Sequence, residues 1–511
     1  MRYIYKTQPR KYQVEAIKFL IEREGVGALL MDPGTGKTWV MLNYLGILAA
    51  KYGSIKALIC APLSGLDTWV DQAQEHLGHV VDDEGNELDI LVRMFVVDGG
   101  RIEEKAEFIA SLEEVPGLTM VIINHDAFKY RHKAKGMKSV TVRDRILKAV
   151  REKWCPDIVV VDEMHRLKSH NSNLSTAFHK IGDSAPMRTG MTGTVAPHSL
   201  LDFFSQWKYL DPRVFGHDWN AFRYYYAIYG GWEGKQVIGY YADRQLEMKE
   251  KIKSTSFIIR KHEALDLPKV TDILVPVELT TERSYYLEMG RELLAELPSG
   301  KLSISKNTLT KMLRLRQITG GVLGYREPGG LDAEGNIKEI SKSEDIGDTK
   351  LKYLLDKVET IHSAGEKQVI FAHFRRDIER ITEACTKTFK GTPVYSISGA
   401  TKNAQRVTQR KAFYNDTKPS IFVAQMRTIS LAINEFVVAS YGHFYSYSQL
   451  RDDFIQARDR LDRSGQTSPV TFYHYVVPKS IDAAILKSHK EKTKLEAAVT
   501  KEAKEILTLG E

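Results

Sequence analysis

Cysteine is scarce in this chain. Its 511 residues hold three, Cys60, Cys155 and Cys385. They stand far apart, which excludes a disulfide framework and a cysteine-built zinc site and points to a reducing compartment. Long apolar runs are absent, so no segment is expected to span a bilayer. The opening stretch "MRYIYKTQPRKYQ" has no apolar core of signal-peptide length, and a cytoplasmic protein is expected. Low-complexity tails, heptad arrays and tandem repeats are also missing. Neither sign of charge dominates: 73 Lys and Arg stand against 65 Asp and Glu, a net charge of +8. That balance fits a polyanionic partner without requiring one.

What is present is ordinary globular material, 43% hydrophobic and 27% charged. The chain is too long for a single hydrophobic core, so two or three domains are expected. Short apolar runs alternate with amphipathic segments in two zones. The first holds "GVGALLMD", "IKALICAP", "LTMVIINH" and "DIVVVDE"; the second holds "KQVIFAHF", "TPVYSIS", "SIFVAQM" and "TFYHYVV". Each zone predicts a parallel sheet covered by helices, hence two α/β domains. The intervening stretch reads as helical, with a tyrosine cluster, "WNAFRYYYAIYGGW", assigned mainly to core packing and secondarily to base stacking. "REPGGLDAEGNIKEISKSEDIGD" reads as a surface loop. The expected division is 1–212, a first lobe; 213–345, a helical insertion and linker; 346–490, a second lobe; and 491–511, a helical extension.

The most informative stretch is "GALLMDPGTGKTWVMLNYL". A strand-like run ends at Met31, a loop with Gly34, Thr35 and Gly36 follows, and Lys37 and Thr38 open a helix. Glycines let the backbone curl so that its N–H groups face a phosphate, and the helix N-terminus adds a favourable dipole. Lys37 then reaches the β/γ-phosphates of ATP and Thr38 ligates Mg²⁺. Met31 occupies the place of the first glycine of the full phosphate-loop pattern. Downstream, "DIVVVDEMH" puts Asp162 and Glu163 at the C-terminal end of a buried strand, where ligands of open α/β sheets sit. Asp162 suits Mg²⁺, and Glu163 suits polarising an attacking water. His165 is placed to relay the nucleotide's state to "MTGT".

These motifs, with others in the same order, resemble a superfamily-two helicase motor of the Swi/Snf-like branch, a DEAD/DEAH-type ATPase. "PRKYQVEAI" resembles the adenine-reading motif, with Gln13 pairing the base edge. "MDPGTGKT" and "VVDEMH" resemble motifs I and II. "ALICAPLSGLDTWVDQ" resembles motif Ia with Pro62 and Trp69, and "VIINHDAF" resembles motif Ib. "MTGTVAPHSLLDFFSQWKYLDP" resembles motif III, "IIRKHEALDLPK" the arginine segment before a Leu-Pro signature, "VIFAHF" motif IV, and "QARDRLDRSGQ" motif VI, followed by "SIDAAI". Two departures stand out. Motif I reads "DPGTGKT" where the branch has Asp-Glu-Met-Gly-Leu-Gly-Lys-Thr. Motif V, "AQMRTISLAINEF", keeps Asn434 but lacks glycine, so that Gln425 takes part of its role.

The resemblance implies two RecA-like lobes with ATP and Mg²⁺ between them. It implies that Gln456 lines the nucleotide cleft and that Arg460 and Arg463 meet the γ-phosphate, a task suited to a fixed planar charge. Arg458 has no counterpart and is assigned to a neighbouring aspartate, Asp459 or Asp462. The implied partner is double-stranded DNA, held through phosphates and not bases, with the basic run "KYRHKAKGMKSVTVRDR" beside the track. The compact arrangement suggests a bacterial or phage-infected cell. The expected activity is ATP-driven translocation on duplex DNA. A strand-separating or branch-migrating helicase and an ATP-switched binding module remain alternatives.

Overall fold

The structure, a computed structural model, describes residues 2–491 apart from 83, 89–90, 129–141, 194–198, 232, 234–235, 265–267, 293, 297, 300–301, 305–307, 332–336, 430–434 and 464. The basic run after motif Ib, part of motif III, Asn434 and the 492–511 tail therefore lie wholly or largely outside the described residues. The chain forms two compact units, Met1–Asp266 and Leu267–Glu511.

The first unit is built on a seven-stranded sheet. In spatial order its strands are Ser256–Ile259, Val26–Met31, Met187–Thr192, Ile158–Asp162, Ser54–Ala61, Gly117–Asn124 and Val92–Val97. Every pairing is parallel. A parallel sheet is covered on both faces, so its strands read as unbroken apolar runs. Val26–Met31 and Gly117–Asn124 are buried at every residue. One face packs against Trp154, Phe178, Trp207 and Tyr209; the other packs against Trp39, Tyr44 and Trp69.

The second unit holds a six-stranded sheet in the order Val270–Pro276, Val470–Val476, Tyr441–Phe444, Gln368–Ala372, Ile421–Gln425 and Val394–Ile397, again wholly parallel. Its faces are filled by Phe413, Phe422, Phe444 and Phe454 on one side and by Leu354, Ile370, Ile381 and Tyr475 on the other. "SIDAAI" opens the helix Ile481–Glu491. There Asp482 pairs with Lys350, both side chains being fully buried, and also accepts a 3.1 Å hydrogen bond from Thr319. A buried pair of this kind is tolerable only when its remaining polar atoms are met. Lys350 Nζ also donates to the Tyr445 carbonyl at 3.3 Å.

Both sheets match the α/β expectation. The stretch 213–345 departs from its helical reading. It contributes Ser256–Ile259 to the first sheet and Val270–Pro276 to the second, and the boundary between the units falls inside it. The segment read as a surface loop forms an antiparallel hairpin, Val322–Leu331 with Ile337–Asp345. Cross-strand backbone bonding satisfies the chain whatever its side chains, so a polar, glycine-containing sequence can still pair. The tyrosine cluster divides: Phe222 and Tyr226 are buried, whereas Tyr224 and Tyr225 are exposed. Among the described residues, no helix is long and apolar enough to cross a membrane.

Candidate nucleotide site

Because the first sheet is parallel, the loops that follow its strands emerge at one edge. Val26–Met31 and Ile158–Asp162 flank Met187–Thr192. The glycine loop, the carboxylate pair and the "MTGT" turn are therefore neighbours by topology. The loop backbone is curled at both glycines. Gly34 and Gly36 adopt φ of 81° and 83°, a left-handed conformation that side chains resist, and Gly36 caps the helix Lys37–Tyr52. A Cβ on Gly36 would strike the Gln13 side-chain amide, and one on Gly193 would come within 2.7 Å of Pro33.

The helix Lys11–Glu22 fixes Gln13. Its Oε1 accepts from the Arg10 amide at 2.8 Å, and the side chain is buried against the loop. The adjacent Tyr12 hydroxyl donates to the Thr35 carbonyl at 2.9 Å, and Thr35 Oγ1 donates to the Asp32 carbonyl at 2.7 Å. Lys37 Nζ donates to the carbonyls of Met31 at 2.7 Å and Asp32 at 3.3 Å. Thr38 sits half-buried in the first turn of its helix. The Asp32 carboxylate accepts from Arg260 Nη1 at 3.2 Å and from the Lys261 amide at 3.0 Å, a tie that sequence reading missed because its ends are 228 residues apart.

Asp162 and Glu163 behave oppositely. Burial, then the adjacent Glu163 charge, pushes the Asp162 carboxyl up from 3.8 to about 6, against the pull of Lys37. Burial also acts on Glu163, but the His165 hydrogen bond and the Lys37 and Arg166 charges outweigh it and hold the carboxyl low. Glu163 keeps a third of its side-chain surface open, so the favourable contacts prevail there. Glu163 has φ of 53°, a strained conformation of the sort that concentrates at functional sites. Trp69, expected for motif Ia, is buried, and its indole N–H faces Asp162 without closing a full hydrogen bond. His165 Nδ1 lies 3.2 Å from Glu163 Oε2 and 2.9 Å from Thr192 Oγ1. The ring thus joins the carboxylate to "MTGT".

The set suits a nucleotide triphosphate. Its glycine cradle has no room for side chains, a lysine and a helix start face one region, and an acidic pair stands beside them. Thr38 and Asp162 are the oxygen donors available to a hard cation. Among the described residues, no group of three or more His, Cys, Asp or Glu forms a separate metal centre.

The sequence profile of the SNF2-related domain matches residues 12–320. The chain belongs to the SNF2-related domain family. It is 24% identical over 519 residues to the ATP-dependent DNA helicase DDM1 of Arabidopsis thaliana, covering 96% of this chain and 62% of that protein. It is 23% identical over 509 residues to the ISWI chromatin-remodeling complex ATPase ISW1 of Saccharomyces cerevisiae, covering 96% of this chain and 40% of that protein. The chain thus spans less than two thirds of these relatives. The Sulfolobus solfataricus SWI2/SNF2 ATPase core in complex with dsDNA is similar at 18% identity, with a TM-score of 0.41, covering 95% of this chain and 92% of that one.

In this SNF2-related chain the remaining candidates belong to the second unit. The helix Arg451–Arg458 stops before Arg460 and Arg463, so these two arginines do not decorate a helix. Burial lowers the Arg463 pKa, opposed by Asp459 and Glu435. Gln456 Oε1 is buried with no hydrogen-bond partner among the described residues. Gln466 closes the turn, donating to the carbonyls of Ala439 at 3.0 Å and Leu461 at 3.3 Å. Arg458 pairs with Asp272 and not with Asp459 or Asp462, because its side chain points back across the sheet. Gln425 accepts from the Gly399 amide at 2.8 Å and donates to the His373 carbonyl at 2.9 Å.

Proposed function

We propose that this chain is an ATP-driven motor that moves along double-stranded DNA. One observation carries the reading. The glycine loop and the Asp162–Glu163 pair stand at one edge of one parallel sheet, joined through His165 and the strand between them, in a chain of the SNF2-related family. Gln13 reads the adenine edge. The loop amides and Lys37 hold the phosphates. Thr38 and Asp162 hold Mg²⁺, which supplies neutralisation of phosphate charge. Glu163, held ionised by His165, orients and polarises the attacking water. The second unit contributes Arg460 and Arg463 to the charge that develops on the transferred group, and Gln456 to the nucleotide's surroundings.

The DNA assignment is supported by relatives whose names describe a DNA helicase and a chromatin-remodeling ATPase and by the excess of basic residues. The three free cysteines suit a reducing, cytoplasmic setting. The test is the ATPase rate measured against duplex, single-stranded and forked DNA, with Lys37→Ala as the control. Stimulation greatest by plain duplex is expected, and it should vanish in the folded Lys37→Ala variant. Preference for forks would favour a branch-migrating helicase. Hydrolysis indifferent to all DNA would overturn the motor reading.

A further inference from the structure

The arginine segment "IIRKHEALDLPK" is given no task by the nucleotide chemistry, yet it meets the glycine loop at the loop's first residue. The strand Ser256–Ile259 pairs in parallel with Val26–Met31, with Ile259 opposite Met31. Both chains leave the sheet at that point, one into the glycine loop and the other into the short helix Lys261–Ala264. Asp32 opens the loop, Arg260 opens the segment, and the register sets the two side by side.

Each polar group of Asp32 is engaged. Its amide donates to the Ile259 carbonyl at 3.2 Å. Its carbonyl accepts from the Thr35 amide at 3.3 Å, from Thr35 Oγ1 at 2.7 Å and from Lys37 Nζ at 3.3 Å. Its carboxylate accepts from Arg260 Nη1 at 3.2 Å and from the Lys261 amide at 3.0 Å. The carbonyl is thus fastened inside the loop and the carboxylate outside it. Pro33 follows, and a proline disfavours a helical turn at the residue before it. Arg260 is steadied in its turn, its amide donating to Glu263 Oε2 at 2.9 Å.

A carboxylate is the wrong charge to open a loop that holds a triphosphate. Left unpaired, it repels the ligand and competes for the loop's own N–H groups, as aspartate side chains do with nearby backbone amides. We propose that Arg260 is a positioning residue for ATP: it neutralises Asp32 and keeps the carboxylate turned out of the loop, which leaves the loop amides and Lys37 to the phosphates. Arg260 acts through Asp32 and does not touch the nucleotide. The proposal rests on the ATP-site reading and gives the arginine segment a part in it. The Arg260 side chain is 49% exposed and that of Asp32 24%, so the pair is expected to show in nucleotide affinity and little in the fold.

The test is equilibrium binding of a fluorescent ATP analogue, with steady-state ATPase kinetics beside it, for wild type, Arg260→Ala, Arg260→Lys and Asp32→Asn/Arg260→Ala. Arg260→Ala should weaken analogue binding and raise KM for ATP by about threefold to fivefold. Its kcat should stay within about twofold of wild type, the pattern of a binding contribution lost equally from ground and transition states. The gap should narrow as salt rises, because an exposed charge is screened. Arg260→Lys should recover most of the loss. The double variant decides: it lacks both the arginine and the charge that the arginine answers, and the asparagine oxygen still accepts from the Lys261 amide. Its affinity should return to within about twofold of wild type, because the two groups form one unit. A double variant as weak as Arg260→Ala would mean that the arginine supports the loop by shape alone, and would overturn the proposal. So would unchanged affinity in a folded Arg260→Ala. A wild-type protein that binds no ATP analogue would fail the nucleotide-site reading itself, an outcome separate from either of these.

Discussion

Arg458 and Asp272 form a two-point ion pair across 186 residues of sequence: Nη1 meets Oδ1, and Nη2 meets Oδ2 at 3.1 Å. His474 Nε2 adds a third contact to the same carboxylate at 2.8 Å, and the guanidinium rests on the Phe472 ring with a centroid distance of 4.6 Å. The pair stitches the edge strand Val270–Pro276 to the end of the helix that precedes Arg460 and Arg463. Of the three arginines in "ARDRLDR", this one is structural.

That difference is measurable. Arg458→Ala leaves Asp272 with one partner and should cost about 1–3 kcal/mol in denaturant unfolding, with ATP turnover reduced only as far as stability falls. Arg460→Ala and Arg463→Ala should keep the melting temperature near that of wild type and lower kcat by roughly a hundredfold or more, with ATP affinity within about tenfold. If the three variants lost stability and turnover in the same proportion, the two later arginines would be structural as well.

Asp162 offers a pH signature. Its folded carboxyl is held near 6 by burial and by Glu163, above its value in the unfolded chain. A carboxyl raised on folding favours the protonated form, so its contribution is fully present below about pH 4 and is lost as pH rises through about 6. Asp162→Asn removes the titration. Without nucleotide, the variant should melt higher than wild type at pH 7.5, by an amount of the order of 2 kcal/mol in stability, and the gap should close by pH 4. Hydrolysis in the same variant should be lost. A variant less stable than wild type at pH 7.5 would show that Asp162 is not held in tension for a cation.

His165 should couple Glu163 to the "MTGT" turn. A carboxylate 3.2 Å from Nδ1 calls for a proton on that nitrogen, which it shares with the Thr192 hydroxyl at 2.9 Å. Neighbours in one network are non-additive. In a cycle of His165→Ala and Thr192→Val, the double variant's DNA-stimulated ATPase should fall little below the worse single, with a coupling of about 1 kcal/mol or more. Strictly additive losses would mean that the ring serves the two groups separately.

Local chemistry made much of the candidate site's backbone legible in the sequence. A strand, two glycines and a lysine-threonine helix start occupy consecutive residues, so short-range spacing alone predicts the curled loop that Gly34 and Gly36 adopt. The four-residue apolar run before Asp162 likewise announces a buried parallel strand. Pairings between residues distant in sequence were not legible. Nothing near Arg458 points to Asp272, and nothing near Asp32 points to Arg260. The 322–345 hairpin was missed because backbone pairing holds it, and its side chains alternate too weakly to signal a strand. Tyr224 and Tyr226 belong to one aromatic run, yet only the second turns into the core, and composition alone does not distinguish them.

The kind of motion can also be predicted. Separating strands requires a wedge between bases, commonly an aromatic ring with an open face. Within the tyrosine cluster the exposed rings are Tyr224 and Tyr225, beside the hairpin Ala227–Gly230 with Gln236–Tyr240. An arginine already lies over each of them. Arg223 lies over Tyr224 at 4.6 Å from the ring centroid, and Arg244 lies over Tyr225 and Tyr241 at 4.4 Å each. The Tyr225 hydroxyl also donates to Glu247 at 2.8 Å. Freeing a ring to stack on a base would forfeit a cation–π interaction of about 0.5–1 kcal/mol at such an exposed site. The protein should therefore displace a third strand from a triplex in an ATP-dependent manner, which detects tracking alone. It should displace a long annealed strand from a partial duplex poorly. Efficient strand displacement that disappears in Tyr224→Ala/Tyr225→Ala, with triplex displacement retained, would identify these rings as a wedge and reverse the prediction.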